Sequence, residues 1–370
     1  MAVYIIMTII SMLFAGYAQN VKEVESLDST YRILGVMAFL PFAVVSALRY
    51  QVGTDWPIYN DYFHSIPAGG KKFTEPLFNL LNRFLYHFTQ NSYILFAVVA
   101  VLLLSFMFLT IFQQSEYLPL SILIFVVSGD FFNSQNQIRQ MLATAILLYA
   151  LKYVYDRNWK HYFLLLLIAA GIHISALLFV PVYFIYGKRV NIKKQIIVYL
   201  ILGISVPILG KLVLRLISKT KYGWYIGSMY DTNNFYLIGF VFTLFFLAIF
   251  YYYVYCNPEH DVKYEFYVNL YYLAAVTVLF SSVVPQADRL MKLFASITCL
   301  AVPKLVFREE DRNKRILLYM LVVGAFTEIT GIKVNCAENP EETVVQGLNK
   351  IVSDEKYKRL TFTMKTKIYK

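Results

Sequence analysis

Apolar runs of roughly 18 or more residues recur along the chain, each about the length of a helix that crosses a hydrocarbon layer. They predict spans at residues 1–18, 33–48, 93–112, 117–132, 195–217, 236–256, 265–284 and 290–306, with a shorter apolar piece at 316–326. A further helix is expected at 138–155, after the polar stretch NSQNQIRQ, and residues 161–186 form one long apolar run broken by Gly171-Ile172-His173. Residues 49–92 are semi-polar; within them Thr74-Glu75-Pro76 reads as a cap opening a helix near 76–89. Gly16 and Ala18 mimic a signal cleavage site, but no positive charge precedes the apolar part, so residues 1–18 read as a retained first helix. The expected fold class is all-α: a polytopic membrane domain over residues 1–328 with about 10–12 transmembrane helices, then a polar lysine-rich tail at 329–370.

Composition supports this. Charged residues make up 15% of the 370-residue chain, against about 25% in soluble domains. The net charge of +11 does not point to nucleic acid, because excess Lys and Arg in a membrane protein usually marks loops retained in the cytoplasm. Anionic lipid headgroups or a diphosphate are the other partners such charge suits. Cys256, Cys299 and Cys336 are too far apart in sequence to suggest a disulfide framework or a metal site. His64, His87, His161 and His260 lack metal-ligand spacing, and no cofactor motif is present.

Topology turns on residues 161–186. If they cross once, Arg289 lies on the opposite side from Arg49 and Arg139. If they dip in and return, all three arginines share a face, and the basic loops 152–160, 187–194 and 308–315 share the other. The Lys/Arg bias favours the second arrangement, and the break at Gly171 supplies a mechanism.

Five places carry residues that chemistry could use. Arg49 follows a span; it is either a snorkelling helix-end arginine or a bidentate ligand for phosphate oxygens. Gly53-Thr54-Asp55 reads as a tight turn whose carboxylate either caps the next helix or acts as a general base. Arg139-Gln140 opens a helix, where a cation opposes the macrodipole; an anion bound there would give it a purpose, and an interfacial position is the plainer account. His173, with Ser175 beside it, sits in an apolar run, either bonded to a neighbouring helix or serving as a proton acceptor. Arg289 adjoins Asp288, its simplest ion-pair partner.

The chain resembles the EpsG family within the Wzy-like group of bacterial polysaccharide polymerases. The resemblance rests on Arg49 with Val52-Gly53-Thr54-Asp55 and Tyr59, Glu75-Pro76, Arg139-Gln140 with Ala143, and His173-x-Ser175, with Arg289 before a late span. It covers about residues 1–310; the short last span and lysine-rich tail depart from the pattern. It implies a glycosyltransferase in the bacterial cytoplasmic membrane, built like the lipid-dependent, metal-independent enzymes of the GT-C class, with its site facing the periplasm or outside. Such an enzyme transfers a growing glycan of an exopolysaccharide, capsule or O-antigen from undecaprenyl diphosphate to the terminal sugar of a new lipid-linked unit. A flippase and a chain-length regulator of the same pathway would be its partners. On that pattern Arg49, Arg139 and Arg289 hold the diphosphate and His173 or Asp55 is the base; Gly53, Thr54, Tyr59, Glu75, Gln140 and Ser175 support them. A flippase for the same lipid-linked sugar, or an acyltransferase using His173, is the alternative.

Overall fold

The computed structural model describes residues 2–49, 51–70, 73, 75–219, 223, 226, 235–256, 259–309, 312–316, 318–322 and 324. The expected tail at 329–370, the cap residue Thr74 and most of the loop at 219–234 lie outside the described residues. Within them every regular element is helical.

The chain runs through α1 (Ala2–Val21), α2 (Asp28–Ala47), α3 (Trp56–Ser65), α4 (Pro76–Phe88), α5 (Tyr93–Gln114), α6 (Leu118–Val127), α7 (Asp130–Asn136) and α8 (Ile138–Tyr155). It continues through α9 (Trp159–Ile172), a 3-10 turn at Ile174–Phe179, α10 (Val182–Ile185), α11 (Ile192–Ser218), α12 (Leu237–Cys256), α13 (Val262–Leu279), α14 (Ala287–Ala295) and α15 (Thr298–Arg308).

Outer helices invert the soluble pattern. In α1 the buried stripe is Tyr4, Met7, Thr8, Ser11, Ala15 and Ala18, and its small members Thr8, Ser11, Ala15 and Ala18 let helices approach closely. Its Ser11 hydroxyl donates to Ala38 O of α2 at 2.6 Å. The large aliphatic residues Ile5, Ile6, Ile9 and Leu13 point outward. On α11, Ile204 and Ile208 are 82% and 75% exposed. Lipid is the solvent that makes such a surface stable, since apolar side chains gain nothing by hiding from it.

Among the described residues, five helices are long and apolar enough to span a membrane: α1, α2, α5, α11 and α12. The bent pairs α6–α7 and α14–α15 bring the number to as many as 7. The expected 117–132 span breaks at Gly129, whose φ of 79° turns the chain 54° into α7. Only by adding α8, α13 and the two arms of 159–185 is the expected ten to twelve approached. Both α8 and α13 are largely enclosed by the other helices, which is why they tolerate polar residues that a lipid-facing span would not.

The contacts define two ends. Near one end Lys22 Nζ donates to Ser115 O at 2.7 Å, Lys152 Nζ to Gln113 Oε1 at 3.0 Å, and Lys304 pairs with Asp261 at 3.0 Å. Run 159–185 starts here, turns at His173 and returns: Tyr162 OH donates to Phe179 O (2.6 Å), Tyr183 OH to Arg157 O (2.8 Å), and Arg157 Nη2 to Tyr186 O (2.7 Å). Tyr162 is buried within this hairpin. Gly171, just before the turn, lets α4 cross the hairpin at very short range. A Cβ on Gly171 would stand 2.6 Å from Leu77 Cγ. The in-and-out arrangement is therefore the one the chain adopts. Arg49, Arg139, His173 and Arg289 share one end, and Lys22, Arg157, Lys188 and Arg189 the other.

The hairpin predicts a labelling pattern. In a cysteine-free background, Asn158→Cys and Lys188→Cys should react with a membrane-impermeant maleimide from one side, and Gly69→Cys from the other. Labelling of positions 158 and 188 from opposite sides would contradict the hairpin.

Candidate active site

Where α2 ends, the chain enters a turn in which Gln51 and Gly53 have φ of 51° and 97°. The turn docks on the C-terminus of α7. Asn136 Oδ1 accepts from the Asp55 N–H (2.9 Å) and the Thr54 hydroxyl (3.3 Å). Contact at Gly53 leaves no room for a side chain, since a Cβ would lie 2.8 Å from Asn136 Oδ1 and 3.0 Å from Asn136 Cα.

Arg49 is 3% exposed and does not snorkel. Its Nη1 donates to Gln135 Oε1 at 2.5 Å, and its guanidinium lies 5.5 Å from the Phe96 ring centre. The Nε and Nη2 atoms are buried with no hydrogen-bond partner among the described residues. Burial pulls this guanidinium down to about 10, with the Tyr4 and Tyr59 hydroxyls opposing; it stays charged at neutral pH. A buried cation with two unused donors is poised for an anion.

Asp55 stands at the N-cap of α3, yet its side chain makes no cap bond. It reaches Arg289 Nη1 at 3.4 Å. Gln140 Nε2 donates to the carbonyl of Arg289, tying α14 to the start of α8. The next residue back, Arg139, places Nη1 2.7 Å from Glu75 Oε2 and lies 4.0 Å from the Phe73 ring centre. Glu75 likewise occupies the N-cap of α4 without capping it. Its second oxygen, Oε1, accepts from the Ile174 N–H at 3.3 Å, beside His173. His173 Nδ1 bonds Ser175 Oγ at 2.7 Å.

Tyr59 stands at the centre. Its hydroxyl bonds the side chain of Arg139, and Asp55 and Arg289 are close enough to act on it electrostatically. Burial pushes its pKa above the usual tyrosine range, while Arg139 pulls it back, so the hydroxyl is neutral near pH 7. Arg139 and Arg289 also act together on His173. The structure thus gathers Arg49, Asp55, Tyr59, Glu75, Arg139, Gln140, His173, Ser175 and Arg289 at one end of the bundle.

Among the described residues, three cations face two carboxylates here. Glu75 is 3% exposed, and stripping one partner from so buried a pair typically costs about 3–5 kcal/mol. The Asp55–Arg289 pair is longer, and its side chains are 12% and 25% exposed; it is the easier of the two to open. Four contributors were not foreseen from sequence: Gln135 and Asn136, which seat Arg49 and the turn, and Phe73 and Phe78, which lie against Arg139. A signal for the first two existed in the run of amides in NSQNQIRQ between apolar segments.

The turn yields a stability test. Gly53→Ala should cost roughly 2 kcal/mol or more, because a positive φ alone costs an L-residue about 1–2 kcal/mol and the new methyl also meets Asn136. Gly69 has a φ of +78° but nothing within 4 Å of a Cβ, so Gly69→Ala should cost less. Thermal unfolding in detergent compares them; equal midpoints would contradict the packing of Gly53.

A family model for the EpsG family matches residues 32–336. No curated protein and no solved structure gives a match. The matched region spans the turn after α2, the Glu75–Arg139 pair, the hairpin and Arg289, and the chain belongs to the EpsG family.

Proposed function

We propose that the protein is a polysaccharide polymerase that transfers a glycan from a lipid diphosphate carrier to a sugar hydroxyl. The observation that carries this reading is the convergence of Arg49, Arg139 and Arg289 around Tyr59, with His173 at the same end. Membership of the EpsG family suggests a polymerase-like role on a lipid-linked saccharide.

In this reading the acceptor hydroxyl attacks the anomeric carbon while His173 takes its proton. In the tautomer whose Nδ1–H donates to Ser175 Oγ, the ring presents the Nε2 lone pair as the base. The bond from the anomeric carbon to the diphosphate oxygen breaks, and negative charge grows on the leaving group. Arginines placed in advance stabilise that charge without reorganising. Arg49 brings its unused Nε and Nη2; Arg289 becomes available as Asp55 is displaced, and Arg139 holds Glu75 and Tyr59 in place. Asp55 serves as a placeholder for phosphate, which leaves His173 the better base.

Competing readings fit less well. A flippase needs a polar path through the bundle, whereas Ala143, Ala145, Ile146, Leu147 and Leu148 fill the middle of α8 with buried apolar groups. An acyltransferase of the histidine–acid kind would pair His173 with a carboxylate, yet Glu75 and Asp55 are engaged by arginines and His173 by Ser175. The basic end carries Lys22, Lys152, Arg157, Lys188 and Arg189, which the positive-inside rule assigns to the cytoplasm. The arginine cluster then faces outward, where undecaprenyl-diphosphate-linked units are polymerised.

In proteoliposomes supplied with lipid-linked repeat units, wild-type protein should build long chains. His173→Ala should slow lengthening by roughly a hundredfold or more. Arg139→Lys should fail to restore what Arg139→Ala loses, because an ammonium cannot reproduce the planar fork. Normal chain lengths from both His173→Ala and Arg139→Ala, at equal protein level, would refute the assignment.

A further inference from the structure

A second polar pocket lies one turn along α14 from Arg289. Lys292 enters it, donating to Ser128 O at 3.0 Å and standing 3.7 Å from Asp130 Oδ1. Asp130 is 2% exposed, and among the described residues its buried Oδ1 accepts no hydrogen bond. The remaining walls are largely apolar or aromatic, with Phe242, Phe246 and Tyr271 among them, and Thr243 beside them. An ionisable pair buried inside a membrane domain is costly and usually functional, and nothing in the arginine cluster uses this one.

The pocket's chemistry is specific. It offers an acceptor that lacks a donor, a cation within 4 Å of it, and an apolar surround. A secondary amide carrying a methyl matches all three: its N–H suits Asp130 Oδ1, its carbonyl suits Lys292 Nζ, and its methyl suits Phe242 and Phe246. Size argues the same way. The cavity measures about 40 Å³, and at roughly 10–15 Å³ per water it admits about three water-sized groups. That holds an acetamido arm but not a pyranose ring. Location agrees too. Asp130 opens α7, whose last residues, Gln135 and Asn136, seat Arg49 and the Asp55 turn; at 1.5 Å per residue the two ends lie about 10 Å apart, the reach of a sugar or two.

We propose that this pocket binds the N-acetyl arm of a sugar in the lipid-linked unit and so selects N-acetylated substrates. Only the placing of that sugar in a lipid-linked unit rests on the polymerase reading; the amide chemistry of the pocket stands by itself.

Binding can therefore be measured without turnover. Saturation-transfer NMR on the purified full-length protein would compare methyl glycosides of N-acetylglucosamine, N-acetylgalactosamine and glucose. At least one N-acetyl glycoside should receive saturation, strongest at its acetamido methyl, and glucose about tenfold less. Asp130→Asn should remove most of that difference. Because Asp130 is buried, Ala295→Leu gives a second test: it fills the pocket, leaves the Asp130–Lys292 pair intact, and should also abolish the methyl signal. Equal saturation of all three glycosides by the wild type, or an unchanged methyl signal in a monodisperse Ala295→Leu variant, would overturn the proposal. Failure of wild-type protein to lengthen lipid-linked units, with selective N-acetyl binding intact, would instead count against the polymerase reading alone.

Discussion

The Arg139–Glu75 pair is the interaction on which this end of the molecule depends. Arg139 sits in the first turn of α8, where a cation opposes the helix dipole, and Glu75 occupies an N-cap without capping. Arg139 gains nothing from its own helix, and Glu75 gives α4 only its charge near the positive end of the dipole, not a cap bond. Both make sense as one arrangement, because Glu75 also holds the Ile174 N–H and so fixes where the hairpin turns and where His173 points. Phe73 lies over the guanidinium at 4.0 Å and shields the pair, and a pair in such surroundings is strong only while both partners remain.

The second pair, Asp55–Arg289, completes a balanced cluster. Arg49 adds an uncompensated charge, held by the Gln135 amide and carrying two unused donors. If the protein acts as proposed, the arrangement keeps it stable in a membrane before substrate arrives and lets it accept a doubly charged headgroup afterwards. On the proposed polymerase reading, Asp55 and Glu75 stand in for phosphate, keep the arginines oriented and limit the cost of burying them.

Much of this was legible in the sequence. Residues 138–155 begin and end where the apolar pattern places them, and the break at Gly171 with the Lys/Arg bias pointed to the returning hairpin. Arg49, Arg139, His173 and Arg289 stood out because a charge beside or inside an apolar run needs a reason. What could not be read was pairing. Asp55 and Arg289 lie 234 residues apart, and local rules offered Asp288 and a helix cap as simpler partners. The amides at Gln135 and Asn136 are neutral and carry no such warning. The Asp130–Lys292 pocket was equally silent, since its walls come from α7, α12, α13, α14 and α15, and only tertiary packing brings them together.

The central claim is that carboxylates hold the arginines in place of phosphate. Its most direct test is the affinity of purified protein for a short-chain polyprenyl diphosphate, measured by titration calorimetry in detergent. The account predicts weaker binding in Arg289→Gln, by about tenfold or more, and tighter binding in Asp55→Asn, which removes the competing charge. Unchanged affinity in Arg289→Gln, or weaker binding in a well-folded Asp55→Asn, would contradict it.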